Sequence, residues 1–210
     1  MIEKIEVLNH SCVKFKFEKI IYVDPFKLKA EYKDADIILI THEHFDHYSE
    51  EDIEKVKKET TKIVITQDLK QRVKSYGFKE ENIIVVKPNE TYEVEKIKIE
   101  TLPAYNVGKK FHPKENGWVG YIIENEGKKY YIAGDTDITE ENQKIKCDIA
   151  LVPVGGTYTM DYKEAATLVN IIKPQIAIPI HYGSIVGTAE DAENFLKLLS
   201  DEIKGIILMK

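Results

Sequence analysis

The sequence predicts a layered α/β domain, and three observations carry this expectation. Short runs rich in Ile and Val recur along the chain at the length of strands, the earliest of them alternating with period two. In the last third, Tyr162–Ile172 and Ala189–Leu199 carry apolar residues at helical spacing instead. Strand-like runs with helices interspersed imply sheets covered by helices.

The elements follow in order. Ile5 and Val7, then Val13, Phe15 and Phe17, then Ile20 to Val23 alternate with short breaks, the pattern of a β-meander. Asp24-Pro25 ends it, because proline cannot continue a ladder. Asp36–Ile40 is a continuous apolar run, expected as a buried strand. Ser49-Glu50-Glu51-Asp52 starts a helix, with serine as cap and acids in the first turn, running to about Lys58. A brief strand is expected at Ile63–Ile65. A helix is expected over Gln67–Tyr76, stopped by Gly77. Strands follow at Ile83–Val86, Tyr92–Val94 and Ile97–Thr101. A long loop then runs from Pro103 to Gly117, a length that is often functional. Trp118–Glu124 and Lys128–Ala133 read as a hairpin about Asn125-Glu126-Gly127. Strands at Ile149–Val154, Gln175–Ile180 and Gly205–Met209 alternate with the two helices of the last third.

At 210 residues the chain can bury a sizeable core and is most simply one domain, 1–210. A net charge of −6 argues against generic nucleic-acid binding, so the expected partner is a small molecule. Two cysteines are too few for a disulfide framework. No apolar run reaches the ~18 residues that span a bilayer, and the N-terminus lacks a signal-peptide block. A cytoplasmic setting is the expectation, and a homo-oligomer is an open option.

The chemistry concentrates in Thr41-His42-Glu43-His44-Phe45-Asp46-His47, directly after a core strand. Imidazole and carboxylate are the groups that hold divalent transition metals. His42 and His44 are two apart, so in an extended segment they point the same way. Other predicted strands also end on ligating or small residues: Tyr130–Ala133 on Gly134-Asp135, Ile176–Ile180 on His181, and Ile149–Val154 on Gly155-Gly156. If these ends meet at one sheet edge, the groups converge. Several imidazoles with a few carboxylates suit two divalent ions about 3.5–4 Å apart.

His42-x-His44-x-Asp46-His47, then Gly134-Asp135, then His181, resembles the metallo-β-lactamase superfamily, and within it the UlaG-like, or UPF0173, metal-dependent hydrolases. Asn9-His10-Ser11, Asp24-Pro25-Phe26 and the stretch Pro153 to Met160 match as well. The resemblance spans essentially the whole chain. It implies an αββα sandwich of two mixed sheets flanked by helices. It implies His42 and His44 at one metal, Asp46 and His181 at the other, Asp135 bridging, and His47 at or supporting the second. A metal-bridging hydroxide would be the nucleophile. Zinc is the first expectation for the two ions, with manganese, iron or nickel as alternatives.

One departure stands out. The family places a further histidine after the strand that here reads Ile99 to Asn106. Either His112 swings in as that ligand, or Asn106 or a water fills the place, or the first site is weakened.

Asp46 and His10 are the catalytic candidates. His10 would orient substrate or donate a proton, a buried hydrogen-bonded role being the alternative. Asp24 would support a ligand histidine or cap its turn. Lys109, Lys110 and Lys114 flank His112, and Lys110 is a candidate substrate contact. Tyr158 and Met160 are candidates for the pocket wall, with packing as the alternative. The expected activity is hydrolysis of a small ester, lactone or phosphoester. A nuclease comes second, and a redox or metal-binding role third. Di-iron members of the superfamily carry glutamate where this chain has His44.

Overall fold

The computed structural model describes residues 2–209. Two sheets face each other. One has six strands in the order β1 (Ile5–Asn9), β2 (Cys12–Lys16), β3 (Ile20–Val23), β4 (Ala35–Leu39), β5 (Lys57–Ile65), β6 (Ile83–Val85). The other has seven. From one edge to the other they run β13 (Lys204–Gly205), β12 (Ile176–Ile180), β11 (Ile149–Pro153), β10 (Lys128–Ile132), β9 (Val119–Asn125), β8 (Ile97–Pro103), β7 (Thr91–Val94). Both sheets are mixed. The meander β1–β2–β3 is antiparallel and β3–β4–β5–β6 parallel. In the second sheet β7–β8–β9–β10 is antiparallel and β10–β11–β12–β13 parallel.

Alternate residues of each strand enter different layers. Ile37 and Leu39 of β4 join Val13, Phe15, Tyr121, Ile132 and Leu151 between the sheets. Ile38 lies on the outer face under α1 (Glu50–Val56) and α2 (Lys70–Ser75), with Ile53, Val56 and Val73. On the far face, Ala150, Val152 and Ala177 pack under α3 (Tyr162–Ile172) and α4 (Ala189–Lys197), which supply Ala165, Val169 and Phe195. Strands buried on both faces read as continuous apolar runs, which is why a layered α/β domain was legible in the sequence, and the layers have the αββα order that the family resemblance implied. Among the described residues no helix is long and apolar enough to cross a membrane.

Most boundaries agree with the sequence reading. Ser49 caps α1, its side chain accepting from Asp52 N. Glu126 and Gly127 both have positive φ, the two-residue turn that matches strand twist. Three differences have physical reasons. The first helix stops at Val56, and Lys57 already pairs with Ala35 in β5. Thr61 Oγ1 fixes this by donating to Ala35 O (2.6 Å) and accepting from Lys58 N (2.9 Å). The helix expected over Gln67–Tyr76 splits into a 3-10 turn, Gln67–Leu69, and α2. The final strand is only Lys204–Gly205, because Leu208 and Met209 pack onto the cores without pairing.

Candidate metal centre

The carboxyl ends of the parallel strands meet at one edge, where open α/β sheets commonly carry their sites. β3 delivers Asp24, β4 Thr41 and His42, β10 Gly134 and Asp135, and β12 His181, while the β1–β2 turn adds His10. All six histidines of the chain gather here. The backbone is bent to achieve this. His10, Asp24 and His181 have φ of 50°, 45° and 57°, conformations that cost about 1–3 kcal/mol each outside glycine. They are held by contacts such as His181 N to His10 O at 2.9 Å. Gly134 (φ 66°) admits no side chain, since a Cβ would lie 2.9 Å from Val119 O.

One cluster consists of His42, His44 and His112, whose ligating nitrogens all lie within 4.8 Å of one another. His42 Nε2 is 3.0 Å from His44 Nδ1. Thr41 Oγ1 donates to Asp24 Oδ2 (2.7 Å), so towards His42 Nδ1 (2.9 Å) it accepts, which leaves Nε2 of His42 without a proton. His112 swings in from the 103–117 loop on a clasp. Asn106 Oδ1 accepts from His112 N (3.0 Å) and from its Nδ1 (3.1 Å), and Asn106 N donates to His112 O (2.8 Å). Asn106 Nδ2 in turn donates to Tyr158 O (2.8 Å). Asn106, at the end of the stretch where the resemblance led one to expect a histidine, is thus the residue that secures His112. Trp118 packs against all three rings at 4.8–5.5 Å, its Nε1 donating to Asp68 Oδ2 (2.7 Å).

The second cluster surrounds Asp46. Its Oδ2 is 3.3 Å from His10 Nε2 and 3.6 Å from both His47 Nε2 and His181 Nε2. His47 Nδ1 donates to Asp24 Oδ2 at 2.7 Å, which turns Nε2 inward. Asp135 stands between the clusters. Oδ1 is 3.2 Å from His47 Nε2, and Oδ2 is 3.1 Å from His181 Nε2 and 3.3 Å from His112 Nε2. These approaches are not aligned as hydrogen bonds. Nε2 of His47, His112 and His181 and Oδ1 of Asp135 are buried with no hydrogen-bond partner. Buried polar atoms are rarely left so, and a shared cation is one arrangement that satisfies them together. The donor set therefore fits divalent metal.

The electrostatics agree. Burial lowers the pKa of His42 well below the ordinary value and lowers those of His44 and His10. Burial opposes charge at His47 and His181 too, but Asp135 with Asp24, and Asp135 with Asp46, outweigh it. His47 is held well above its usual value and His181 at about 9. Burial disfavours the Asp46 and Asp135 carboxylates, yet the adjacent histidines hold both below the usual range. Asp24 is raised by its burial.

Above the clusters lies a cavity of about 360 Å³ lined by His44, Phe45, Asp46, Phe111, His112, Asp135, Tyr158 and Ile185. Tyr158 is on the cavity wall. Met160 is not. It is fully buried in the core under α3, because the chain folds back through a Gly155–Asp161 bridge, so its assignment to the pocket is corrected. Lys110 is exposed and is not among the residues lining the cavity. The flanking lysines are neutralised, Lys109 by Asp137 (2.6 Å) and Lys114 by Glu141 (2.7 Å). His10 is fully buried behind Asp46 and does not line the cavity. Trp118, Phe45, Phe111 and Ile185 were missed. The available signal was large apolar residues in otherwise polar loops.

Residues 4–181 match the beta-lactamase superfamily domain. A UPF0173 metal-dependent hydrolase of Thermococcus onnurineus is 34% identical, covering 98% of this chain and 96% of the relative. One from Thermoplasma acidophilum is 35% identical over 90% of this chain and 88% of the relative. A crystal structure of a presumed metal-dependent hydrolase from Parabacteroides distasonis superposes with a TM-score of 0.83 at 32% identity, covering 98% of this chain and 93% of that one. The His/Asp clusters at one sheet edge, the two mixed sheets and these likenesses agree, and the chain belongs to the UPF0173 metal-dependent hydrolases of the beta-lactamase superfamily.

Proposed function

We propose a two-ion centre in which the close donor group His42, His44 and His112 holds one divalent ion, Asp46 with His47 and His181, each 3.6 Å from its Oδ2, holds the other, and Asp135 is shared. The observation that carries this is the set of buried nitrogens and the buried Asp135 oxygen that face one another without hydrogen-bond partners. Imidazole with carboxylate accepts zinc, manganese, iron or nickel, and zinc is our first choice. Bound ions supply Lewis acidity and a water of lowered pKa.

The chain's own groups set up the reaction. Asp24, Thr41 and Asn106 hold protons on Nδ1 of His47, His42 and His112, so that the Nε2 atoms are free to ligate. Asp46 lines the cavity as an ionised carboxylate and is positioned to accept a hydrogen bond from an attacking water and orient it. His10, with Nε2 at 3.3 Å from Asp46, steadies that carboxylate rather than touching substrate. The substrate is a small ester, lactone or phosphoester in the cavity above.

The test is turnover by the zinc- or manganese-loaded protein on ester, lactone and phosphodiester panels, alongside His44→Ala and Asp135→Ala. Both substitutions should abolish activity. Undiminished turnover in either would sink the assignment.

A further inference from the structure

We infer that the substrate is a neutral carboxylic ester or lactone carrying an aryl or branched-alkyl arm, and that phosphoesters are poor substrates. This rests on the hydrolytic reading above and narrows it. The floor of the cavity is polar: His44, Asp46, His112 and Asp135. The wall is apolar: Phe45, Phe111, Tyr158 and Ile185, each from a different loop. Three of these are unusually exposed for their type, Phe45 at 66%, Phe111 at 46% and Ile185 at 36%. Exposed apolar side chains gathered around a catalytic floor mark a ligand surface. They are also held in place. Phe111 meets Tyr158 edge-on at 4.7 Å and 90°, and Phe45 meets Phe26 at 6.0 Å and 74°. Such a slot receives a flat or branched hydrocarbon group beside the scissile carbonyl.

Among the described residues, none that lines the wall is a Lys or Arg to meet a phosphate. The chain's single arginine, Arg72, is on α2 and paired with Glu50. Lys109 and Lys114 are paired with acids, Lys27 donates to Ser184 Oγ (3.1 Å), and Lys110 is outside the wall. Sites for phosphate monoesters and diesters ordinarily add Arg or Lys contacts to the metals. At about 360 Å³ the cavity is near the small end of ligand sites, which suits a one-ring substrate with a short arm.

The experiment uses zinc-loaded full-length protein. Turnover is compared on γ-butyrolactone without a side chain, with an isobutyl arm and with a phenyl arm, and on bis(4-nitrophenyl) phosphate. Binding of 4-phenylbutan-1-ol, which cannot be hydrolysed, is measured by calorimetry. The substituted lactones should show KM lower by about tenfold or more than the bare ring. Phe111→Ala should erase that difference and the alcohol's binding with bound zinc unchanged, Phe111→Leu should restore much of both, and Ile171→Ser on α3 should alter neither. Equal KM across the lactones, or preferred turnover of the phosphodiester, overturns the inference while leaving the hydrolase reading intact. Phe111-dependent binding of the alcohol with no turnover on any panel sinks the hydrolase reading and leaves the apolar site standing. Absence of Phe111-dependent binding together with absence of turnover overturns both.

Discussion

Replacing Asn106 by alanine removes the clasp on which His112 reaches the centre. Three side-chain hydrogen bonds are lost: Oδ1 with His112 N and Nδ1, and Nδ2 with Tyr158 O. A buried partner left unpaired costs ~1–3 kcal/mol, and solvent at the loop recovers part of that. A total of about 2–4 kcal/mol follows, or roughly 5–15 °C in Tm for a chain of this length. The effect on metal is more telling. His112 loses the acceptor that fixes its Nδ1 proton, and loss of such a partner weakens affinity by about 10–100-fold. Asn106 contacts none of Asp46, His47 and His181, so their ion should bind as before. Calorimetric titration of zinc into the ion-free variant, with chelator competition, reads both events. We expect two binding steps with one weakened. Two unweakened steps would refute the role of His112, and equal loss of both would refute the division into two clusters.

Other outcomes are accessible with the same protein. Met160→Ala should lower stability by about 2–5 kcal/mol in urea denaturation and leave KM unchanged, because Met160 fills the core under α3. The single tryptophan, Trp118, packs on His42, His44 and His112, so its fluorescence should change on zinc addition to the ion-free protein, and His112→Ala should blunt the response. Ion-free protein should lose stability between about pH 7.5 and 9. A histidine whose pKa is raised stabilises fully below its unfolded value, and that contribution fades as pH climbs through the folded one. His181 moves from 6.5 to about 9, and His47 shifts the same way. At ~1.4 kcal/mol per pH unit His181 alone contributes up to about 3 kcal/mol. His10, His42 and His44 are lowered, so their contribution runs the other way, rising with pH until it is complete about one unit above their unfolded value, and the decline is read between about pH 7.5 and 9. Zinc-loaded protein needs neutral ligands and should show no such decline, as urea titrations at pH 6, 7.5 and 9 with and without chelator would show.

What the sequence revealed depended on whether the cause was local. Ile37 to Ile40 is apolar throughout because both faces of β4 are covered, and the spacing of His42, His44, Asp46 and His47 lies in one segment. Gly134-Asp135 and His181 were legible as residues at strand ends, since strand ends were what the topology brought together. The departures have non-local causes. Lys57 and Lys58 look like a charged helix end, and Thr61 bonding to Ala35 helps make them a strand. Ile206 to Met209 looks like a strand, yet its apolarity serves packing of the tail, with Met209 Sδ accepting from His10 N (3.1 Å). Whether His112 or Asn106 served the metal was open in the sequence, because five residues of irregular loop separate them. The clasp that brings His112 beside His42 and His44 is side-chain geometry that no periodicity encodes. The cationic loop dissolved for a similar reason. Asp137 and Glu141, distant in sequence, neutralise Lys109 and Lys114.

The most direct test of the two-ion centre is anomalous diffraction at the zinc edge from crystals of the zinc-loaded protein. We expect two peaks, one contacted by His42, His44 and His112, the other by Asp46, His47 and His181, with Asp135 touching both. A single peak, or a peak beside His42 and His44 with His112 turned away, would contradict it.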